Sequence, residues 1–368
     1  MEDPFRFADD LGPAKIVHLY RPGVGLKAIV VIDNVACGPA IGGVRMAPDV
    51  SLEECARLAR AMTLKNAAAG LAHGGGKAVI FADPRMPAAE KQRLMRAFAG
   101  AMRDLVEYIP GPDMGTDERC MAWVRDEIGR AVGLPRVLGG IPLDEIGATG
   151  FGLATAIAAA APRCGLSLRG ARVAVQGFGA VGRHAARFLA EQGAVLVAAA
   201  DSSATVVDPS GISVGDLARL KLSGGALCDY PAGEKRTPEA IVEVACDIWI
   251  PAARPDVLRA DNVGRLQAKL VAEGANIPAT AEAEAMLHAR GVLVLPDFIA
   301  NAGGVICAAV EYHGGTQAAA LAAIAEKIGR NTTEMLYRAT AAGVTPREAA
   351  TAMARARVTE AAEYGRWG

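Results

Sequence analysis

Residues 172–201 constrain the chain more than any other stretch. Arg172–Gln176 reads as a strand of small and β-branched residues and runs into Gly177-x-Gly179-x-x-Gly182, which opens an apolar helix reaching about Gln192. A second strand, Val195–Ala200, ends at Asp201, 19 residues past the last glycine. The glycines alone are a weak signal. Set between a strand and a helix, with an acid closing the next strand, they form the dinucleotide fingerprint of a doubly wound α/β sheet. Gly177 permits the tight turn, Gly179 lets the backbone approach a pyrophosphate, and Gly182 lets helix and strand pack closely. The first helical amides, at Ala180 and Val181, and the positive end of the helix dipole face the phosphates. Asp201 is expected to accept from both ribose hydroxyls of NAD and to repel the 2′-phosphate of NADP. Further strands are read at 247–251, 269–276 and 292–297. Their carboxyl ends, Ala252-Ala253, Gly274-Ala275-Asn276 and, just beyond, Asn301-Ala302-Gly303-Gly304, should border the nicotinamide.

At 368 residues the chain exceeds one core, since domains run to roughly 100–200 residues. Loop-like text over 131–150 marks a boundary between residues 1–146 and a Rossmann domain of 147–339, and the closing helix opens with a capping box at Thr345-Pro346-Arg347-Glu348. Lys and Arg number 39 against 40 Asp and Glu, so no basic field attracts nucleic acid or anionic lipid. The acidic start lacks a signal-peptide pattern and no apolar run reaches the ~18 residues of a membrane span, which makes a cytoplasmic location the expectation. Seven scattered cysteines, without C-x-x-C or clustered histidines, argue against a disulfide framework or a metal site.

The first half carries GLAHGGGKAVI at 70–80. It fails as a phosphate-binding P-loop, because Leu71 replaces the first glycine and Ala78 replaces the magnesium-binding hydroxyl. A capping box at Ser51-Leu52-Glu53-Glu54 starts a helix whose stripe, Leu52, Cys55, Leu58 and Met62, brings Lys65 onto the apolar face, with Gly70 as its stop. Lys77 opens the strand Ala78–Phe81, and a second helix over 87–109 leads to PGPDMGTDE, which places Asp113 on a loop. A lysine snorkelling at a helix end and a turn-forming aspartate are the plain readings. The alternative is that two lysines twelve positions apart converge on one cleft.

These segments, GPAIGGVRM (38–46), MTLKNAAAGLAHGGGKAVI, GPDMGTDE, GATGFG, VQGFGAVG, VAEGAN and LPDFIANAGG (295–304), resemble over nearly the whole chain the amino-acid dehydrogenases that include the glutamate, leucine, valine and phenylalanine enzymes. The pattern is closest to the leucine, valine and phenylalanine branch. The resemblance implies a substrate-binding and oligomerisation domain at 1–146, to which a helix at about 340–368 returns, joined by a cleft to the Rossmann domain. It implies a homo-oligomer that deaminates an L-amino acid reversibly to the 2-oxo acid and ammonia with NAD. Lys65 would bind the α-carboxylate, Lys77 and Asp113 would be catalytic, and Gly42, Gly43 and Val305 would border the substrate. The glycines before Lys77 would leave room for substrate and nicotinamide, and Thr149, Ala252, Asn276 and Asn301 would lie near the nicotinamide and its ribose. His73 stands where the family has an apolar residue or methionine and reads as a packing variant. In the glutamate enzymes a lysine and a serine hold the side-chain carboxylate; here those positions are Ile41 and Ala308. An apolar substrate is therefore expected, with a glutamate dehydrogenase or a non-catalytic NAD-binding relative as alternatives. A hydroxy-acid dehydrogenase would share the Rossmann half but rely on a catalytic histidine.

Overall fold

Leu26–Asn34 is apolar on both faces of a strand, and it becomes the spine of the first of two units. The computed structural model describes residues 3–365. The first unit holds the chain up to Pro142, Val305–Ala320 and the chain from Thr351 onward; the second holds Leu143–Gly304 and Leu321–Ala350.

In the first unit β1 (Lys15–Arg21), β2 (Leu26–Asn34), β3 (Ala40–Ala47), β4 (Gly75–Phe81) and β5 (Tyr108–Pro112) form a mixed sheet in the order β1-β2-β4-β3-β5. The three strands β4, β3 and β5 run parallel, and β2 is antiparallel to both of its neighbours. Alternation sends Ile29, Val31 and Val79 to one face, against Cys55 and Ala59 of α1 (Leu52–Ala68). It sends Val30, Ile32 and Ile80 to the other, against Leu94 and Phe98 of α2 (Ala88–Ala101) and Met121 of α3 (Glu118–Ile128). Glu311, buried on a later helix, accepts the backbone N–H groups of Leu134 (3.0 Å) and Ile141 (2.8 Å) and so fixes the loop between them.

Three expectations need correction here. The helix read over 87–109 stops at Ala101, and Ile109 lies in the strand β5, where Pro110 and Pro112 are tolerated because β5 is a sheet edge. The strand read from Lys77 begins at Gly75. The box at Ser51 is half closed: Ser51 accepts from the Glu54 N–H at 3.1 Å, while the Glu54 carboxylate pairs with Arg45 instead of turning back.

The second unit begins with α4 (Leu143–Ile146) and α5 (Ala148–Ala160), inside the stretch read as a loop. Then follow β6 (Arg172–Gln176), α6 (Ala180–Glu191), β7 (Val195–Ala200), β8 (Thr205–Val207), α7 (Val214–Leu222), β9 (Glu234–Arg236), β10 (Ile248–Pro251), β11 (Leu270–Ala272), α8 (Ala281–Ala289), β12 (Leu293–Leu295) and α9 (Asp297–Ala300). The sheet order is β12-β11-β10-β6-β7-β8-β9, parallel from β12 to β7, with the order reversing at β6. The α/β class with a doubly wound sheet is as expected from the sequence. The chain closes with α10 (Gly303–Tyr312), α11 (Gln317–Ala342) and α12 (Pro346–Glu363). No described helix is long and apolar enough to cross a membrane. All seven cysteines are unpaired thiols, and the described residues hold no group of three His, Cys, Asp or Glu arranged for a metal ion.

Candidate active site

Lys77 sits in the middle of β4, buried, and its ammonium pairs with the carboxylate of Asp113, which follows β5 directly. Arg45 of β3 reaches the same carboxylate at 3.3 Å and pairs with Glu54. Burial pushes the Asp113 carboxyl up, but Lys77 and then Arg45 outweigh it and hold the group below its ordinary value. The loop is stapled as well: Asp113 N–H donates to Thr116 Oγ1 (3.0 Å), whose hydroxyl donates to the Val44 carbonyl (2.7 Å).

The glycines around Lys77 make room for the protein's own atoms, which corrects the expectation that they make room for ligands. A Cβ at Gly74 would stand 1.8 Å from the Asn34 carbonyl oxygen, one at Gly75 2.0 Å from the Thr63 nitrogen, and one at Gly76 3.0 Å from the Tyr108 ring. At Gly42 it would meet the Gly76 carbonyl oxygen at 1.7 Å, and at Gly43 the Asp113 side chain at 2.8 Å. These glycines therefore let β4 and its lysine lie close to β3, α1 and Asp113.

Lys65 is half-buried in the last turn of α1. Its neighbour Asn66 donates to the carbonyls of Gly74 (2.7 Å) and Ile41 (3.4 Å), which ties that turn to both strands. Ile41 and Ala308 are buried and Val305 is half-buried, all three in the first unit. His73 contacts the Pro39 carbonyl through Nδ1 (3.0 Å) and His313 Nε2 through Nε2 (3.2 Å), with Tyr312 edge-on at 5.8 Å. Burial drives its imidazole below the ordinary value, the Pro39 carbonyl opposing.

In the second unit the fingerprint glycines divide their tasks. Gly177 has φ +94° and a Cβ there would stand 2.7 Å from the Ala253 nitrogen; at Gly182 it would stand 2.1 Å from the Gly177 carbonyl oxygen. Gly179 faces open space within 4 Å, and as N-cap of α6 it offers no side chain to the amides of Ala180, Val181 and Gly182. That opening suits a pyrophosphate. A crevice of about 360 Å³ beside it is lined by Gln176, Gly177, Asp201, Ser202, Arg254 and Arg259, among others.

Asp201 is already engaged. Its carboxylate accepts from Ser203 N (2.8 Å) and Oγ (2.5 Å), Lys221 Nζ (2.7 Å) and Leu227 N (3.1 Å). Burial raises the carboxyl, but Lys221 and Ser203 more than offset that and hold it far below its usual range. Ala252 hangs from the Gln176 carbonyl by its N–H at 2.7 Å. Thr149 lies in the first turn of α5, where Gly304 approaches it so closely that a Cβ would be 3.2 Å from its Oγ1. Asn301 Nδ2 donates to the Gly274 carbonyl (3.2 Å) and to Asn276 Oδ1 (3.0 Å), while its own Oδ1 is buried without a partner, as is Gln176 Oε1. Such orphaned acceptors fit a site that a polar ligand completes. The sequence reading missed Arg45, Asn66, Tyr108, Lys221 and Glu311, although the arginine of GGVR and the asparagine after Lys65 lie within the quoted motifs.

Two family models cover most of the chain. The one described as glutamate/leucine/phenylalanine/valine dehydrogenase matches residues 139–365, and the one described as the Glu/Leu/Phe/Val dehydrogenase dimerisation domain matches residues 21–130. The chain is 41% identical over 292 residues to a glutamate dehydrogenase of Aeropyrum pernix, covering 76% of this chain and 70% of that one. It is 38% identical over 292 residues to an NADP-specific glutamate dehydrogenase of Saccharolobus shibatae, covering 76% and 69%. Among solved structures it resembles the hetero-hexameric glutamate dehydrogenase of Thermus thermophilus in its leucine-bound form, with TM-score 0.84 and 32% identity over 95% of this chain and 89% of that one. It also resembles the L-tryptophan dehydrogenase of Nostoc punctiforme, with TM-score 0.74 and 27% identity over 96% and 97%.

Proposed function

The chain belongs to the glutamate/leucine/phenylalanine/valine dehydrogenase family, and we propose that within it this protein oxidatively deaminates an L-amino acid with an apolar side chain. The observation that carries the chemistry is the buried Lys77–Asp113 pair. Lys65 binds the α-carboxylate. The dinucleotide, when bound along Gly179, Asn276 and Asn301 with Thr149 and Ala252 alongside, supplies the hydride acceptor. Asp113 takes the proton that water gives up on adding to the imino carbon and delivers it to the substrate nitrogen; it then takes the hydroxyl proton of the carbinolamine as ammonia leaves, while the Lys77 ammonium donates to the oxygen on which negative charge develops in that collapse.

The apolar reading rests on Ile41 and Ala308, which offer no partner to a second carboxylate; leaving one buried and unpaired costs several kcal/mol. A second reading, glutamate as substrate, has the stronger comparative support, since three of the four proteins named above are glutamate dehydrogenases. NADH formation across alanine, leucine, phenylalanine and glutamate separates the two. At about 0.8 kcal/mol per buried methylene, kcat/KM should rise with apolar size until the pocket is full. Glutamate as the best substrate would sink the apolar reading. Ile41→Lys with Ala308→Ser should gain glutamate activity.

We also propose NAD as the preferred cofactor, because Asp201 closes β7. The NADP-specific relative supports the opposite choice, and Lys221 supplies a physical reason for weak discrimination by partly neutralising the carboxylate. Comparing kcat/KM for NAD and NADP tests this, and Lys221→Met should shift the ratio toward NAD by leaving Asp201 uncompensated. The match to a dimerisation domain supports a homo-oligomer, which sedimentation would measure. The unpaired thiols support a cytoplasmic location.

A further inference from the structure

Arg347, the second residue of α12, belongs to the capping box of the last helix and has no role in the chemistry above. Its guanidinium nevertheless gathers three acids of the second unit: Glu273 (2.6 Å), Glu284 (2.7 Å) and Asp297 (3.0 Å). Glu273 is fully buried with Oε1 unpartnered; burial drives its carboxyl well above the ordinary range, with Arg347 opposing. Such a cluster is a poor source of stability, since desolvating several charges costs as much as their pairing returns.

The cluster has an outlet. The other oxygen of Asp297 accepts the N–H of Ile277 at 2.9 Å, and Asp297 N–H itself donates to Glu273 at 2.9 Å. Ile277 has φ +50°, an outlier for a β-branched residue. Its carbonyl accepts from Asp256, which at φ +53° is the other non-glycine residue with positive φ among those described. Strain of this kind persists only where the surroundings over-determine it. Immediately before Ile277 stands Asn276, bonded to Asn301 at 3.0 Å, and Asn301 N–H bonds back to the Asp297 carbonyl at 2.8 Å.

We propose that Arg347 is a positioning residue for the cofactor: through Asp297 it holds the Ile277 peptide in its left-handed conformation and thereby sets Asn276 and Asn301. This rests on the proposal above that these two asparagines border the nicotinamide. The test is fluorescence titration of the full chain with NADH, set against calorimetric titration with ADP-ribose, which lacks the nicotinamide. Arg347→Gln should weaken NADH binding about tenfold, comparable to one lost hydrogen bond, and leave ADP-ribose within about twofold. Asn276→Ala should do the same. Adding Ile277→Gly to Arg347→Gln should restore part of the NADH affinity, because glycine adopts positive φ without strain. If Arg347→Gln does not fold, Arg347→Lys keeps the charge but lacks the planar fork needed to bridge three carboxylates, and it enters the same assay. Unchanged NADH binding in a folded variant would overturn the proposal. So would equal losses for NADH and ADP-ribose, which is what a purely structural role produces. Wild-type protein that binds neither ligand would instead overturn the dinucleotide reading, and a silent Asn276→Ala would overturn the placing of the asparagines; the proposal falls with either.

Discussion

Lys77 comes from β4 and Asp113 from just past the end of β5, with β3 between those strands in one sheet, and each leaves the other buried and charged if it is removed. Lys77→Ala and Asp113→Asn should each lower kcat by about 10²-fold or more if the two supply general acid–base catalysis, whereas Lys65→Ala should chiefly raise KM. Near-normal turnover in folded Lys77→Ala would refute the assignment. The pair also sets a pH dependence. The Asp113 carboxyl is held lower in the folded protein than in the unfolded chain, so its contribution to stability is present above the ordinary aspartate range and is lost as pH falls through the folded value. Below about pH 4 the wild-type Tm should therefore fall more steeply than that of Asp113→Asn, which has no proton to take up there. Lys77 and Asp113, which the structure pairs, stand out in the sequence because of their motifs. Arg45, which adds to the pull of Lys77 on Asp113, and Lys221, which pairs with Asp201, do not, since a charge–charge contact between distant positions leaves no periodic trace.

Strands β6 and β7 were legible to the residue and the end of α6 to within one, because Gly177, Gly179 and Gly182 each answer a different steric demand. Those demands predict different outcomes. Gly177→Ala should destabilise the protein by about 1–3 kcal/mol, since it forces a side chain to φ +94° against Ala253. Gly179→Ala should leave Tm unchanged, as its Cβ meets no protein atom within 4 Å, yet weaken NADH binding about tenfold by standing where the pyrophosphate approaches. Equal effects on Tm would refute the division of roles. The first sheet was far less legible. Strand β2 lacks a clean alternation because it is buried on both faces. The end of α2 was misplaced because Met102, Leu105 and Ile109 continue a helical spacing into a turn and an edge strand.

Across the whole molecule the sequence suggested one boundary near residue 146 and a closing helix that returns. The chain passes between the units at Pro142, Gly304, Ala320 and Ala350, three of the four passages lying within α10, α11 and α12. Apolar periodicity runs unbroken through a helix whichever unit each turn joins, so no sequence signal marks those points. A fragment ending at residue 142 should accordingly fail to give a cooperative thermal transition by circular dichroism, although it contains the complete five-stranded sheet. It lacks Glu311, and the buried N–H groups of Leu134 and Ile141 lose their acceptor at about 1–3 kcal/mol each. The same carboxylate limits how such genes can recombine. A single crossover near residue 142 joins a loop to a Glu311 from another parent, so the hybrid inherits a hydrogen-bond acceptor shaped for different amides. A double crossover that carries residues 305–320 along with the first 142 keeps the partners from one parent together.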